Sequence, residues 1–227
     1  MVVLEAGLGV DPTTTWADVR RRLDGLTTVC VHERAGTGES ASAGRSRTAG
    51  TVAGELDRLL AGAHTRTPVV LVGASFGGYV AQLYASEHPD DVSGVVLVDS
   101  LHPDIDTTFR RLFGRQAAAD RARALAQNSE GIGFGDLVRS GHEVAAERAF
   151  PDVPLAVLKH GISFEPGGEP DPALERAWGR MQAELAARSP DGQLVVAEHS
   201  HHRIAEDQPA LVADAIRRVV AQVRDQP

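Results

Sequence analysis

Gly73-Ala74-Ser75-Phe76-Gly77-Gly78 is the segment of this chain best suited to covalent chemistry. It follows the apolar run Val69-Val70-Leu71-Val72 and precedes a stretch with Val80, Leu83 and Tyr84 at helical spacing. A G-x-S-x-G pattern between a buried strand and a helix sets its serine on a tight elbow, where the neighbours must be small. The hydroxyl of Ser75 is thereby pushed clear of the sheet edge. The N–H groups opening the next helix face any negative charge that develops beside it. A phosphate-binding turn is the rival reading, but the Lys-Ser/Thr ending of a P-loop is missing.

A serine hydroxyl needs a base to take its proton. There are nine histidines. The loop after the last apolar run, Glu198-His199-Ser200-His201-His202-Arg203-Ile204, holds three of them, and by position His199, His201 and His202 compete. His32, His64, His88, His102, His142 and His160 come earlier, most of them beside turns, and read as exposed or structural. His199-x-His201-His202 also fits a metal-binding pair, but Arg203 follows where a metallohydrolase would need an aspartate. No metal is therefore expected. Gly36-Thr37-Gly38-Glu39-Ser40-Ala41 fits the dinucleotide fingerprint only weakly, since loop residues rather than a helix follow it and the next strand ends in Gly73, not an acid. No organic cofactor is expected either.

The elements that must position these groups alternate. Short apolar runs at Val2-Leu4, Thr27-His32, Pro68-Gly73, Gly94-Asp99, Leu155-Lys159 and Gln193-Ala197 read as strands covered on both faces. Between them Trp16-Gly25, Thr51-Ala63, Phe76-His88 and Ala210-Val223 read as helices, with Pro89 ending one and Pro209 opening the last. This is an α/β pattern with a mostly parallel sheet and helices on both faces. Residues 101–150 break the rhythm: they hold no convincing strand, are rich in Arg and Ala, and carry Gly131, Gly133 and Gly135 in an expected loop. About 50 residues is far beyond an ordinary connection of about 4–6. The segment reads as a helical cap or lid on a core formed by residues 1–100 and 151–227. Glu165-Pro172 reads as a surface loop, and Cys30, in mid-strand, as a small buried hydrophobe.

Composition narrows the partners. The chain of 227 residues has a formal net charge of −8, so a nucleic-acid partner, which needs a basic face, is not expected. No apolar run approaches the roughly 20 residues of a membrane span. The first residues, Met-Val-Val-Leu-Glu-Ala-Gly, lack the basic and long apolar stretches of a signal peptide. A single cysteine excludes an intrachain disulfide and fits a cytoplasmic setting.

Taken together, these segments resemble the α/β-hydrolase superfamily, specifically its small bacterial members. Val3-Leu4-Glu5-Ala6-Gly7-Leu8-Gly9 is similar to the family's strand and oxyanion loop, and His32-Glu33-Arg34-Ala35-Gly36-Thr37-Gly38-Glu39-Ser40 to its D-R-x-G-x-G-x-S turn. Val95-Val96-Leu97-Val98-Asp99-Ser100 resembles the strand after the elbow, and Ser200 to Val212 the S-G-H-x-I-x-x-x-x-P-x-x-V ending. Matching that ending selects His202, two residues before Ile204. The resemblance implies a Ser-His-acid triad, with oxyanion donors in the N–H groups of Leu8 and of Phe76, the residue after the nucleophile.

The departures from the family pattern are specific. The two antiparallel strands that usually precede are not evident, so the sheet is expected to be shortened at its N-terminal edge. The usual His-Gly is Ala6-Gly7. The loop after Lys159 has no carboxylate at the family's usual place; some members instead carry the acid at the end of the strand after the elbow, and the resemblance then implies Asp99 as the first choice of acid, with Glu165 as the second and Glu169 and Asp171 behind it. The implied activity is hydrolysis of an ester, thioester or related acyl bond in a small to medium, largely apolar substrate. The same residues would also serve C–C cleavage, a lyase or cyclase step, or cofactor-free perhydrolysis. A ligand-binding module is a third reading, against which the intact Ser75 and His202 stand.

Overall fold

Strand Val69–Ala74 explains why its sequence shows no period of two: Val70 and Val72 are buried on one face of a sheet, and Val69 and Leu71 on the other. The computed structural model describes residues 1–65, 67–125, 127–147, 149–164 and 171–225. Their elements run β1 (Val2–Glu5), α1 (Pro12–Arg22), β2 (Val29–Val31), α2 (Ala49–Gly62), β3 (Val69–Ala74), α3 (Phe76–Glu87), β4 (Val92–Val98), α4 (Ile105–Leu125), α5 (Phe134–Ala146), β5 (Leu155–His160), α6 (Pro172–Ala186), β6 (Gln193–Ala197), α7 (Ile204–Asp207) and α8 (Pro209–Asp225).

The six strands form one sheet in the order β2-β1-β3-β4-β5-β6, and every pairing is parallel. Residues of α2, α3 and α6 bury one face, and residues of α1, α7 and α8 the other. β1 and β3 are neighbours whose following helices, α1 and α3, lie on opposite faces. The chain therefore leaves the carboxyl ends of these two strands in opposite directions, which opens a crevice there. The loops carrying Leu8 and Ser75 line it.

Several boundaries differ from the sequence reading. α1 begins at Pro12 rather than Trp16, because Asp11 caps it by accepting the Thr13 N–H at 2.9 Å and Pro12 occupies the first turn. Helix α6 is absent from that reading altogether. Asp171 caps it with bonds from the N–H groups of Ala173 and Leu174, so this residue starts a helix and is no candidate acid. Gly135 lies inside α5, not in the preceding loop. β2 and β6 are edge strands and are only partly covered, so apolar runs there do not mean burial on both faces. Cys30 is accordingly exposed, not a buried hydrophobe. Residues 101–150 carry α4, interrupted at Gly114 (φ +80°), and α5, which packs on α2 and α3. Among the described residues no helix is long and apolar enough to cross a membrane.

Candidate active site

Ser75 occupies φ +50°, ψ −116°, a conformation that a side-chain-bearing residue rarely adopts. Its surroundings hold it there. Its N–H donates to the Val98 carbonyl at 3.1 Å, and its carbonyl accepts from Gly78 at 3.0 Å and Leu101 at 3.1 Å. The flanking glycines are sterically required: a Cβ on Gly73 would strike the Gly77 carbonyl, and one on Gly77 the Glu5 carbonyl. The elbow is thus wedged between β1 and β4.

Asp99 follows the last residue of β4 at φ +46° and is fully buried. Its carboxylate accepts four hydrogen bonds. Oδ1 takes the Trp178 indole N–H at 2.7 Å and the His160 backbone N–H at 3.1 Å. Oδ2 takes the Nδ1 of His202 and the Nδ1 of His160, both at 2.6 Å. Burial pushes this carboxyl up, but the bonds and charge of the two histidines outweigh it and hold it well below the usual carboxylate range.

The three competing histidines diverge. The His199 backbone N–H bonds Gln208 Oε1 at 2.9 Å, and the residue is exposed. His201 turns its Nδ1 to Ser163, 3.0 Å from the hydroxyl. Of the three, His202 meets Asp99. Phe164 stacks on its ring at 4.3 Å between centroids and 19° between planes. With Nδ1 tied to Asp99, the His202 Nε2 has no protein partner among the described residues. No hydrogen bond joins it to Ser75 among them, although both residues line one cavity of about 390 Å³. Also without an acceptor among the described residues are the N–H groups of Leu8 and Phe76, which border the same cavity. Glu165 and Glu169 lie outside the described residues.

Sequence reasoning passed over the other half of the cluster. His160, the last residue of β5, is fully buried, with Nε2 2.7 Å from Glu175 Oε2 and Nδ1 on Asp99. Burial lowers its pKa, but the two carboxylates outweigh this and raise it; with a carboxylate oxygen at each ring nitrogen, both nitrogens can donate only when the ring is an imidazolium. The Glu175 carboxylate also accepts the Phe164 N–H at 3.2 Å, which steadies the ring stacked on His202. The signal was available: Asp171-Pro172 opens a helix, and Leu174, Ala177, Trp178, Met181 and Leu185 follow at helical spacing.

Asp99, His160 and His202 are also a donor set that a metal could use. Their 2.6 Å N···O separations are those of hydrogen bonds; ligand atoms about 2.0–2.1 Å from a zinc ion stand roughly 3 Å or more apart.

The family model described as alpha/beta hydrolase fold matches residues 22–151. A relative, the uncharacterized protein YqjL of Bacillus subtilis (strain 168), is 26% identical over 216 residues, covering 95% of this chain and 81% of its own. Among solved structures, a thermophilic esterase from Thermogutta terrifontis superposes with a TM-score of 0.65 at 22% identity, over 98% of this chain and 89% of that one. The mouse alpha/beta hydrolase domain-containing protein 10 gives 0.71 at 17% identity, over 98% and 90%. These two structural likenesses are likenesses of fold.

Proposed function

The chain belongs to the α/β-hydrolase fold family, and within it we propose that it is a serine hydrolase that cleaves an ester, thioester or related acyl bond through an acyl-enzyme. One observation carries this reading: the buried Asp99 carboxylate holds His202 by Nδ1, leaving Nε2 open at a cavity that Ser75 also lines. In this mechanism the Ser75 Oγ attacks the substrate carbonyl carbon as its proton passes to His202 Nε2. The C–O or C–S bond to the leaving group then breaks, and the imidazolium returns the proton to it. Water attacks the acyl-enzyme, with His202 again taking and returning the proton, and the carboxylic acid leaves. Asp99 fixes the imidazole tautomer and stabilises the imidazolium. The Leu8 and Phe76 N–H groups take up the oxyanion, each contributing on the order of 3 kcal/mol to the transition state.

The cavity supports a small to medium, largely apolar substrate. Its volume falls within the usual range for small-molecule sites, about 300–1,000 Å³, and Leu8, Val10, Leu101, Leu137, Phe164 and Ile204 supply apolar wall. Leu137 of α5 and Ala124 of α4 border it too, which supports reading residues 101–150 as a cap on the core of 1–100 and 151–227. The test pairs Ser75→Ala with a fluorophosphonate probe and a panel of short acyl esters, thioesters, lactones and amides. Wild type should be labelled at Ser75 and turn over at least one class, and the variant should do neither. A variant that hydrolyses at the wild-type rate ends this reading.

A further inference from the structure

Beneath the oxyanion loop lies a set of buried charges that the proposed reaction does not use. Arg34, on the loop after β2, is 1% exposed. Its Nη1 donates to the Ala6 carbonyl at 2.8 Å and its Nη2 to the Gly7 carbonyl at 2.6 Å. Its Nε and Nη2 form a two-pronged bond, 2.8 Å on each side, with the carboxylate of Glu130. Glu130 is also 1% exposed and comes from the turn between α4 and α5. Its Oε1 accepts the Gly9 N–H at 2.8 Å. Asn128 shapes that turn, its Oδ1 accepting the Glu130 N–H at 3.1 Å and its amide donating to the Ile132 carbonyl at 2.7 Å. The guanidinium carbon of Arg34 also stands 5.5 Å from the centre of the Phe76 ring.

These contacts fix the two peptide planes that flank Leu8. A trans peptide points its C=O and N–H to opposite sides. With the Gly7 oxygen drawn to Arg34, the Leu8 N–H points the other way. The elbow is close by: a Cβ on Gly7 would sit 3.6 Å from the Ser75 Cβ, and Leu8 and Ser75 line the same cavity. The next peptide is pinned in turn by the Gly9 N–H on Glu130. Gly9 adopts φ +68°, a conformation open to glycine at little cost.

We propose that Glu130, acting through Arg34, is a positioning residue for the Leu8 N–H. The turn at residues 128–132 and the loop at 6–9 form one ion-paired unit, so the oxyanion-binding geometry exists only while the segment between α4 and α5 sits against the core. This rests on the serine-hydrolase reading of the site. A purely structural ion pair would affect stability alone, and buried pairs are often replaceable without loss.

The test uses the near-isosteric Glu130→Gln in the full chain, with Arg34→Lys as a second variant that keeps the charge and loses the planar fork. Glu143→Gln is the matched control. Its carboxylate also ties α5 to the core, through the Gly50 N–H at 3.0 Å, away from the oxyanion loop. For each variant, kcat and KM on a nitrophenyl ester are measured. So are inhibition by a trifluoromethyl ketone, which forms a tetrahedral oxyanion on serine, and inhibition by the corresponding ether, which does not. Loss of one oxyanion donor lowers kcat by about 10²–10³-fold.

E130Q and R34K are expected to lose up to that factor in kcat and the same factor in ketone affinity. KM and ether affinity should stay within about threefold, and the double variant should fall no lower than either single one. E143Q should match wild type. If E130Q does not fold, R34K must give the same pattern. An active wild type whose folded E130Q or R34K keeps its kcat and ketone affinity overturns this inference and leaves the hydrolase reading intact. Equal losses for ketone and ether overturn it as well. A wild type that neither hydrolyses the ester nor binds the ketone removes the parent reading and this one with it.

Discussion

Replacing Asp99 with asparagine changes one atom and reverses the logic of the cluster. The carboxylate accepts four bonds, two on each oxygen. An amide has one acceptor oxygen and one NH₂. If the oxygen keeps the Trp178 indole and the His160 backbone N–H, the NH₂ faces the Nδ1 atoms of both histidines. If the amide is flipped, the NH₂ faces the indole and the backbone N–H, which have no acceptor to offer. The first arrangement is therefore favoured, and His202 must turn its Nδ1 into an acceptor. Its proton then sits on Nε2, the atom that receives the Ser75 proton in the proposed mechanism. At a Ser-His-Asp triad an inverted tautomer lowers kcat on the order of 10⁴-fold, about 5 kcal/mol of barrier. KM should change little, because Asp99 does not line the cavity. His160 also loses one of its two carboxylates, which adds about 1–3 kcal/mol of instability from mismatched donors. The assay is steady-state hydrolysis of a nitrophenyl ester by Asp99→Asn, with Glu165→Gln run beside it and thermal unfolding followed for both. An Asp99→Asn enzyme within tenfold of wild type would refute the reasoning. So would a larger loss from the Glu165 variant, which would move the acid to that residue.

Two further outcomes follow from the same geometry. The folded-state pKa of His160 is raised above its ordinary value of 6.5. Its contribution to stability is therefore full below pH 6.5 and is lost as pH rises from there through the folded value. The melting temperatures of wild type and His160→Asn should differ most below pH 6.5 and converge on the alkaline side, and a gap that stays constant or widens with pH would contradict the imidazolium assignment. Glycine-to-alanine changes should split by position. At Gly77 the new methyl meets the Glu5 carbonyl and should cost about 3 kcal/mol or more, whereas at Gly135, in α5 with open space around it, alanine should stabilise by up to about 1 kcal/mol. Chemical denaturation of the two variants checks the sign of each.

What could be read in advance was whatever depends on neighbours along the chain. The elbow at Ser75 is local: a strand, a turn that tolerates only small residues, and a helix, all within about twenty positions. The alternation of strands and helices is local too, and it led to the parallel sheet. Asp99 at a strand's end and His202 on the last loop came from the resemblance to the family's motifs, and the hydrogen bond between them joins residues 103 positions apart. Exposure at the sheet edges was not legible, because an apolar run has the same composition whether one neighbour covers it or two; Cys30 on β2 is the consequence. Nor was the choice of ring partners. His160 looked like one more turn histidine, because its partners come from distant places in the chain: Glu175 and Trp178 from α6 and Asp99 from the end of β4. The same holds for Glu130, 96 positions from the arginine it grips. Burying a charge is costly unless its partners are already present, and which partners are present is settled only when the strands and helices have packed.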